Sequence, residues 1–394
     1  MTMATAKLST HDAIDLIIIG AGPAGLSTAL HLLYIDSGWE KRMLVLEKEV
    51  HPRPKLCGGG VTRLGLSVLK GLGLPLPLPL PQTSIHDIAL LYGDQAIHIF
   101  GQPQIVLFHR PELDTYLAEQ AIARGAKVQQ GEAVEYFEAG EEGVIVTTSR
   151  NSYQAKMVVA ADGSNGVTRR LLRRQSSKAR LARALEVFQP ADGNEAAYRS
   201  QRASFDFTPL SQHLQGYFWD FPGQVGGEPT FNRGVYDVRL AQNKPRADLS
   251  SLLQAGTTAL GNSELPPLKG HPIHWFSPRN RFAFPRIILA GDTAGADPLF
   301  GEGIGPALAY GKLAAEAVHG AFVSQDYTFS SYRQKLAASY LGRYLMVRWL
   351  VAQVCYRFGH QPWFSRLLWT AGKGVAKLFP APPPLPESDS KIIP

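Results

Sequence analysis

The hydrophobic pattern of the chain first becomes regular at Ile14-Asp15-Leu16-Ile17-Ile18-Ile19, a short run rich in β-branched residues that predicts a buried strand. Gly20-Ala21-Gly22-Pro23-Ala24-Gly25 follows at once, and Leu26 to Leu33 then places its apolar residues at helical spacing. A second apolar run, Met43-Leu44-Val45-Leu46, ends in Glu47. The pattern of a strand closed by glycine returns twice: Lys156 to Ala161 runs into Asp162-Gly163, and Arg286 to Ala290 runs into Gly291-Asp292. Closely spaced glycines from Gly295 to Gly305 then lead into a helical pattern through Ala307, Leu313 and Val318.

The stretches between these runs have different patterns. His109-Arg110-Pro111 reads as a helix start, with Leu113 and Leu117 on one face. Leucine and proline alternate from Pro75 to Pro81, which predicts an extended connector because proline cannot donate to a sheet. Residues 181–279 are aromatic and alternating, as in an inserted sheet unit. The expected division is therefore a discontinuous nucleotide-binding unit over 1–180 and 280–325, an inserted unit over 181–279, a helical region over 326–380 and a disordered tail over 381–394.

Strand, GxGxxG and helix, with an acid 22 residues past the last glycine, form a dinucleotide site. The glycines allow a tight turn, close approach of a diphosphate and close packing of helix on strand, while Glu47 suits a ribose diol. Three parallel-type strands with glycine at their carboxyl ends place one ligand along one sheet edge.

Together, GxGxxG, Glu47, Arg110, Asp162-Gly163, Gly291-Asp292, Pro298 and Gly301-Glu302-Gly303 resemble the FAD-binding fold of the para-hydroxybenzoate hydroxylase type. The resemblance implies an α/β Rossmann-type domain with an inserted antiparallel substrate sheet and C-terminal helices. It assigns Gly20, Ala21, Gly22, Pro23, Ala24, Gly25, Glu47 and the adjoining Lys48 to the ADP half of FAD, with Arg110 and Val134 also at the dinucleotide. Asp162 and Gly163 would position FAD and a transient nicotinamide cofactor, Asp292 the ribitol, and Gly303 and Ile304 the flavin pyrimidine at a helix N-terminus.

Two further segments narrow the resemblance. Pro54-Lys55-Leu56-Cys57-Gly58-Gly59-Gly60 is similar to the KxCGG segment of the geranylgeranyl reductase family, and Tyr217-Phe218-Trp219-Asp220-Phe221-Pro222 matches that family's YxWxFP motif. Cys57, Gly58 and Gly59 would adjoin the flavin; Tyr217, Trp219, Phe221 and Pro222 would contact substrate. On this resemblance the activity is hydride transfer from NADPH or NADH, through flavin, to carbon–carbon double bonds of a prenylated lipid or pigment. Cys57, Tyr217 and Trp219 are the catalytic candidates, with Cys57 or Tyr217 supplying the proton. A flavin monooxygenase or halogenase is the alternative, since halogenases carry a related WxWxIP segment; Tyr217 and Phe221 differ from that pattern. A flavoprotein that binds an isoprenoid without turnover is a third reading.

Charge adds one feature. The formal net charge is +7 and the pI about 9.3, yet two acid-free stretches, Arg169–Arg183 and Tyr327–Pro386, contain seven and eight Lys or Arg, so the remainder is acidic. The first block could face a nicotinamide or substrate diphosphate, although a solvated helix face explains it as well. The second mixes cations with Tyr340, Tyr344, Trp349, Phe358, Trp363 and Trp369, a composition suited to peripheral membrane contact. No nucleic-acid motif accompanies the basicity, so nucleic acid is not an expected partner. Two cysteines exclude a disulfide framework, no Cys/His cluster suggests a metal, and no 18-residue apolar run is present. The expected location is cytoplasmic, with peripheral attachment at the inner face of the membrane as the alternative; oligomeric state leaves no trace in the sequence.

Overall fold

The computed structural model describes residues 14–173, 181–262, 264–266 and 268–378. Two sheets organise them. The first contains β1 (Ile14–Ile19), β2 (Met43–Leu46), β6 (Lys127–Gln129), β7 (Val134–Ala139), β8 (Val144–Thr148), β9 (Ser152–Ala160), β15 (Ala283–Phe284) and β16 (Ile287–Leu289). Its main path is β15-β16-β9-β1-β2-β6, parallel from β16 to β6, with the β7–β8 hairpin added through β9. The interior strands are apolar on both faces because helices cover both. Pro23–Ile35 and Ile304–Ser324 pack together here; a Cβ on Gly311 would lie 2.7 Å from Ala24 O, so their backbones meet where glycine permits it.

The second sheet contains β3 (Gly60–Thr62), β4 (Gln82–Tyr92), β5 (Gln95–Phe108), β10 (Leu181–Pro190), β11 (Arg202–Asp206), β12 (Gly216–Val225), β13 (Glu228–Asp237) and β14 (Lys269–His274). Its order is β14-β10-β13-β12-β11-β4-β5-β3, antiparallel except where β11 runs parallel to β4. The second sheet thus takes three of its strands, β3, β4 and β5, from residues 60–108, ahead of the segment 181–279 that supplies the rest. Alternation along β4 was hidden by its position between the proline connector and a glycine turn.

Tyr217, Trp219 and Phe221 face one way along β12 and join one apolar cluster, while Phe218 faces the other and packs with Val235 and Leu253 under the helix Leu249–Ala259. Pro222, expected at the substrate, shares the second face; period two turns it away from the cavity described below. Helices Tyr332–Ala338, Tyr340–Phe358 and Pro362–Leu378 close the molecule. Tyr356 and Trp369 are buried against the second sheet, and the Trp369 indole N–H donates to Leu90 O at 3.2 Å. Residues 174–180, part of the first basic block, and the tail beyond 378 lie outside the described residues.

Trp219 lies over Gly234, its partner on β13, where a Cβ would come 2.2 Å from Trp219 Cζ2 and 2.4 Å from Leu185 O. Gly234→Ala is therefore expected to cost about 1–3 kcal/mol through overpacking, read as a lower urea midpoint with an unchanged slope.

Candidate active site

One cavity of about 900 Å³ runs from the glycine loop after β1 to the aromatic face of β12. At one end the loop is fixed by its glycines. Gly20 has φ +101°, and a Cβ there would lie 2.6 Å from Ala161 O; a Cβ on Gly25 would strike Gly20 O. Gly20, Gly22, Pro23 and Ala24 line the cavity, whereas Ala21 and Gly25 shape the loop behind it. The helix Pro23–Ile35 has no side-chain cap, so its first N–H groups and positive dipole end suit a diphosphate.

Glu47, almost fully buried, accepts from Ala21 N–H at 2.8 Å and Glu49 N–H at 3.1 Å, and its remaining lone pairs can take a ribose diol. Lys48 and Val134 line the same stretch. Arg110 also lines it, held by a bidentate pair to Asp114 with both contacts at 2.9 Å. Arg53, which sequence reasoning missed, lies 3.3 Å from Asp114 and 3.7 Å from Glu47, so a cation sits beside the glycine loop. A lone arginine in a proline-rich stretch gave no signal of this.

Asp162 accepts from Thr168 N–H at 2.8 Å and from Thr293 Oγ1 at 3.2 Å, and Gly163 N–H donates to Thr293 at 2.9 Å. The Asp-Gly turn after β9 is thereby bound to the segment after β16, and Asp162, Gly163 and Asp292 all line the cavity. Burial raises the Asp162 carboxyl, opposed by its bonds from Thr168 and Thr293. A Cβ on Gly303 would be 3.3 Å from Asp292 Oδ1, so Asp292 and the N-terminus of helix Ile304–Ser324 meet at one point, where Gly303 and Ile304 also line the cavity.

The two motifs of the reductase resemblance meet at the other end. Gly58 lies against Phe221 and Trp219, where a Cβ would be 3.1 Å from Phe221 Cε2 and 3.8 Å from Trp219 Nε1. Gly59, at φ +76°, comes so close to Phe108 O that a Cβ would sit 2.1 Å away. The Trp219 indole N–H donates to Asn232 Oδ1 at 2.6 Å, and Asn232 Nδ2 donates to Cys57 O at 3.3 Å. Cys57 is half-buried; Gly59 N–H points at its Sγ from 3.4 Å. The Tyr217 hydroxyl donates to Phe300 O, and burial raises it well above its ordinary range. Tyr217 thus serves as wall with its proton committed to a carbonyl.

Further polar groups, some within the motifs and some outside them, complete the site. Lys55 Nζ lies 2.7 Å from His271 Nε2; burial, then Lys55 and Arg110, push His271 down to about 4, leaving a neutral ring that accepts from the ammonium. Glu186 accepts from Cys57 N–H at 2.9 Å. From the C-terminal region, Arg348 pairs with Asp297 at 3.1 Å and Glu302 at 3.8 Å, while Thr62 and Tyr344 hydroxyls donate to Glu302. Arg348 belongs to the basic block read as lipid-facing and instead neutralises two buried acids. Among the described residues no group of His, Cys, Asp and Glu could hold a metal.

These residues fit FAD: a glycine loop at a bare helix N-terminus, an acid for ribose, a second acid and a second helix N-terminus farther along one cavity. Comparison with known proteins agrees. The chain is 26% identical over 342 residues to the menaquinone reductase of Mycolicibacterium smegmatis, covering 77% of this chain and 75% of that one. It is 25% identical over 334 residues to a digeranylgeranylglycerophospholipid reductase of Picrophilus torridus, covering 80% of each. A geranylgeranyl bacteriochlorophyll reductase-like protein of Thermoplasma acidophilum shares the fold with a TM-score of 0.72 at 20% identity, over 88% of each chain, and flavin-dependent halogenases share it too. Residues 13–230 match the family model of the FAD binding domain, more than half of the chain, so this protein belongs to that family and is an FAD-dependent oxidoreductase of geranylgeranyl reductase-like fold.

Proposed function

We propose that this protein reduces carbon–carbon double bonds in the prenyl chain of a lipid, quinone or pigment, drawing hydride from NADPH or NADH. The observation that supports it best is the contact between the Cys57-Gly58-Gly59 segment and the Trp219–Phe221 wall, because it puts an apolar surface of aromatic rings in the same cavity as the FAD-binding elements. When bound, FAD supplies the two-electron carrier that passes hydride between nicotinamide and alkene. The protein residues do the rest. Gly20, Gly22, Pro23, Ala24, Glu47 and Asp292 bind the dinucleotide, and Gly303 with Ile304 presents helix N–H groups to its far end. Tyr217, Trp219 and Phe221 grip a flat or isoprenoid chain and exclude water, which protects a weakly polarised alkene during transfer. Anaerobic turnover with a panel of prenyl substrates is expected to give products heavier by about two hydrogens per reduced bond, read by mass spectrometry. Strict dependence on O2 would instead identify a monooxygenase or halogenase, the chemistry of other proteins with this fold.

Such substrates reside in bilayers, and the C-terminal helices offer a surface for them. Val347, Leu350, Val351, Val354 and Phe358 form an exposed stripe on helix Tyr340–Phe358, with Arg343 and Arg357 at its two ends on the same face; Trp363, Leu367 and Arg366 continue it. Tyr340, at the start of that helix, is exposed and borders the cavity. We infer peripheral binding to anionic lipid, to which each near-surface cation adds about 1 kcal/mol. Among the described residues no helix is long and apolar enough to cross a membrane. Binding to phosphatidylglycerol-containing vesicles in flotation assays should weaken with salt and be lost in Leu350→Asp/Val354→Asp, with bound FAD retained; undiminished binding would refute it. Point changes are the right probe, since truncation would also remove Arg348, Tyr356 and Trp369 from the interior.

A further inference from the structure

Reduction of an alkene needs a proton as well as hydride, and the side chains named by the motifs supply it poorly: the Tyr217 hydroxyl is bonded to Phe300 O. Besides Glu47, Asp162 and Asp292, already placed above, two acids with buried side chains line the cavity, Glu302 and Glu186. Glu302 is held by Thr62, Tyr344 and Arg348, the bonding of a fixed carboxylate. Glu186 is held differently. It lies on β10 in register with Gly234 of β13, which is in register with Trp219 of β12, so the three residues form one row across the sheet on the cavity face. Gly234 contributes no side chain, and the Trp219 indole occupies the place its Cβ would take.

We propose that Glu186 is the acid that delivers the proton to the substrate, an assignment that rests on the alkene-reduction reading above. Its Oε1 is fixed by Cys57 N–H at 2.9 Å, which ties the carboxyl to the segment that also carries Gly58 against Phe221. Asn232 braces the same corner by joining Trp219 to the Cys57 carbonyl. Among the described residues no cation pairs directly with Glu186, and Arg110 and Lys55 act on it only through space. The other charged or titratable groups around it are Lys269, its register partner on β14, His271 on the same strand, and Cys57. Burial pushes its carboxyl up to about 7, against the bond from Cys57 N–H, Asn232, Arg110 and Lys55, so the acid form is present at neutral pH. In the step, the Glu186 O–H bond breaks and the alkene π pair forms the new C–H bond to that proton. Hydride takes the neighbouring carbon with its own electron pair. The carboxylate left behind regains a proton from water.

The test uses the FAD-loaded protein, Glu186→Gln and Cys57→Ser. Gln keeps an oxygen for Cys57 N–H, so Glu186→Gln should retain FAD with an unchanged absorption spectrum. Its prenyl-dependent flavin reoxidation should slow by about 100-fold or more, the scale of a lost general acid. The wild-type rate should fall as pH rises through about 7, where the acid form is lost, and Cys57→Ser should keep that limb. Independently of turnover, infrared difference spectra of the oxidised wild type should show a carboxylic C=O band that titrates over the same range and is missing in Glu186→Gln. No such band, a reoxidation rate near wild type in Glu186→Gln, or a pH limb that disappears in Cys57→Ser would each overturn the assignment. Failure of the wild type to reduce any prenyl substrate would overturn the reaction itself, and the infrared titration would still report on Glu186.

Discussion

The site depends on one steric constraint, the close approach of a glycine segment to two different surfaces. Gly58 must fit under the rings of Phe221 and Trp219, and Gly59 must turn with positive φ beside the Phe108 carbonyl. A Cβ is excluded at Gly59, and one at Gly58 would push Phe221 aside by a few tenths of an ångström. Because this segment leaves the nucleotide-binding sheet and enters the other as β3, its path sets the distance between the sheets and so the width of the cavity. The hydrogen bonds from Asn232 and to Glu186 then hold the segment in place from the opposite side.

A second set of interactions holds the third wall. Asp297 is fully buried, and its carboxylate accepts from Leu299 N–H at 2.8 Å and Phe300 N–H at 3.1 Å, which shapes the turn before the helix Ile304–Ser324. Burial raises both Asp297 and Glu302, and Arg348 opposes that shift in each. A buried acid pair of this kind is tolerable only with its cation present. The helix Tyr340–Phe358 is therefore part of the site: its Arg348 supplies the charge that lets two acids stand beside the cavity.

Much of this was legible in the sequence because the relevant signals were local. A β-branched run before GxGxxG marks β1 and its loop, and strict alternation in YxWxFP marks a strand with three rings on one face. The parts that were not legible are products of register and long-range packing. Glu186 sits in an alternating strand with nothing to distinguish it from a solvent-facing acid; only pairing through Gly234 puts it opposite Trp219. Arg348 is one cation in a block of eight, and its partners are about 50 residues away in sequence. Pro222 shows the reverse error, in which membership of a motif suggested contact and the pleat directed the side chain elsewhere.

The parallel pairing of β4 with β11 also bears on how the chain acquires its shape. The β4–β5 hairpin is complete by Phe108, but its partner strand ends at Asp206. At translation speeds of about 5–20 residues per second, the hairpin must wait on the order of ten seconds with one edge unsatisfied. Through that interval its exposed edge would be a natural target for a chaperone or a neighbouring nascent chain. The unpaired strand edge is thus exposed before the cavity it will help to line exists.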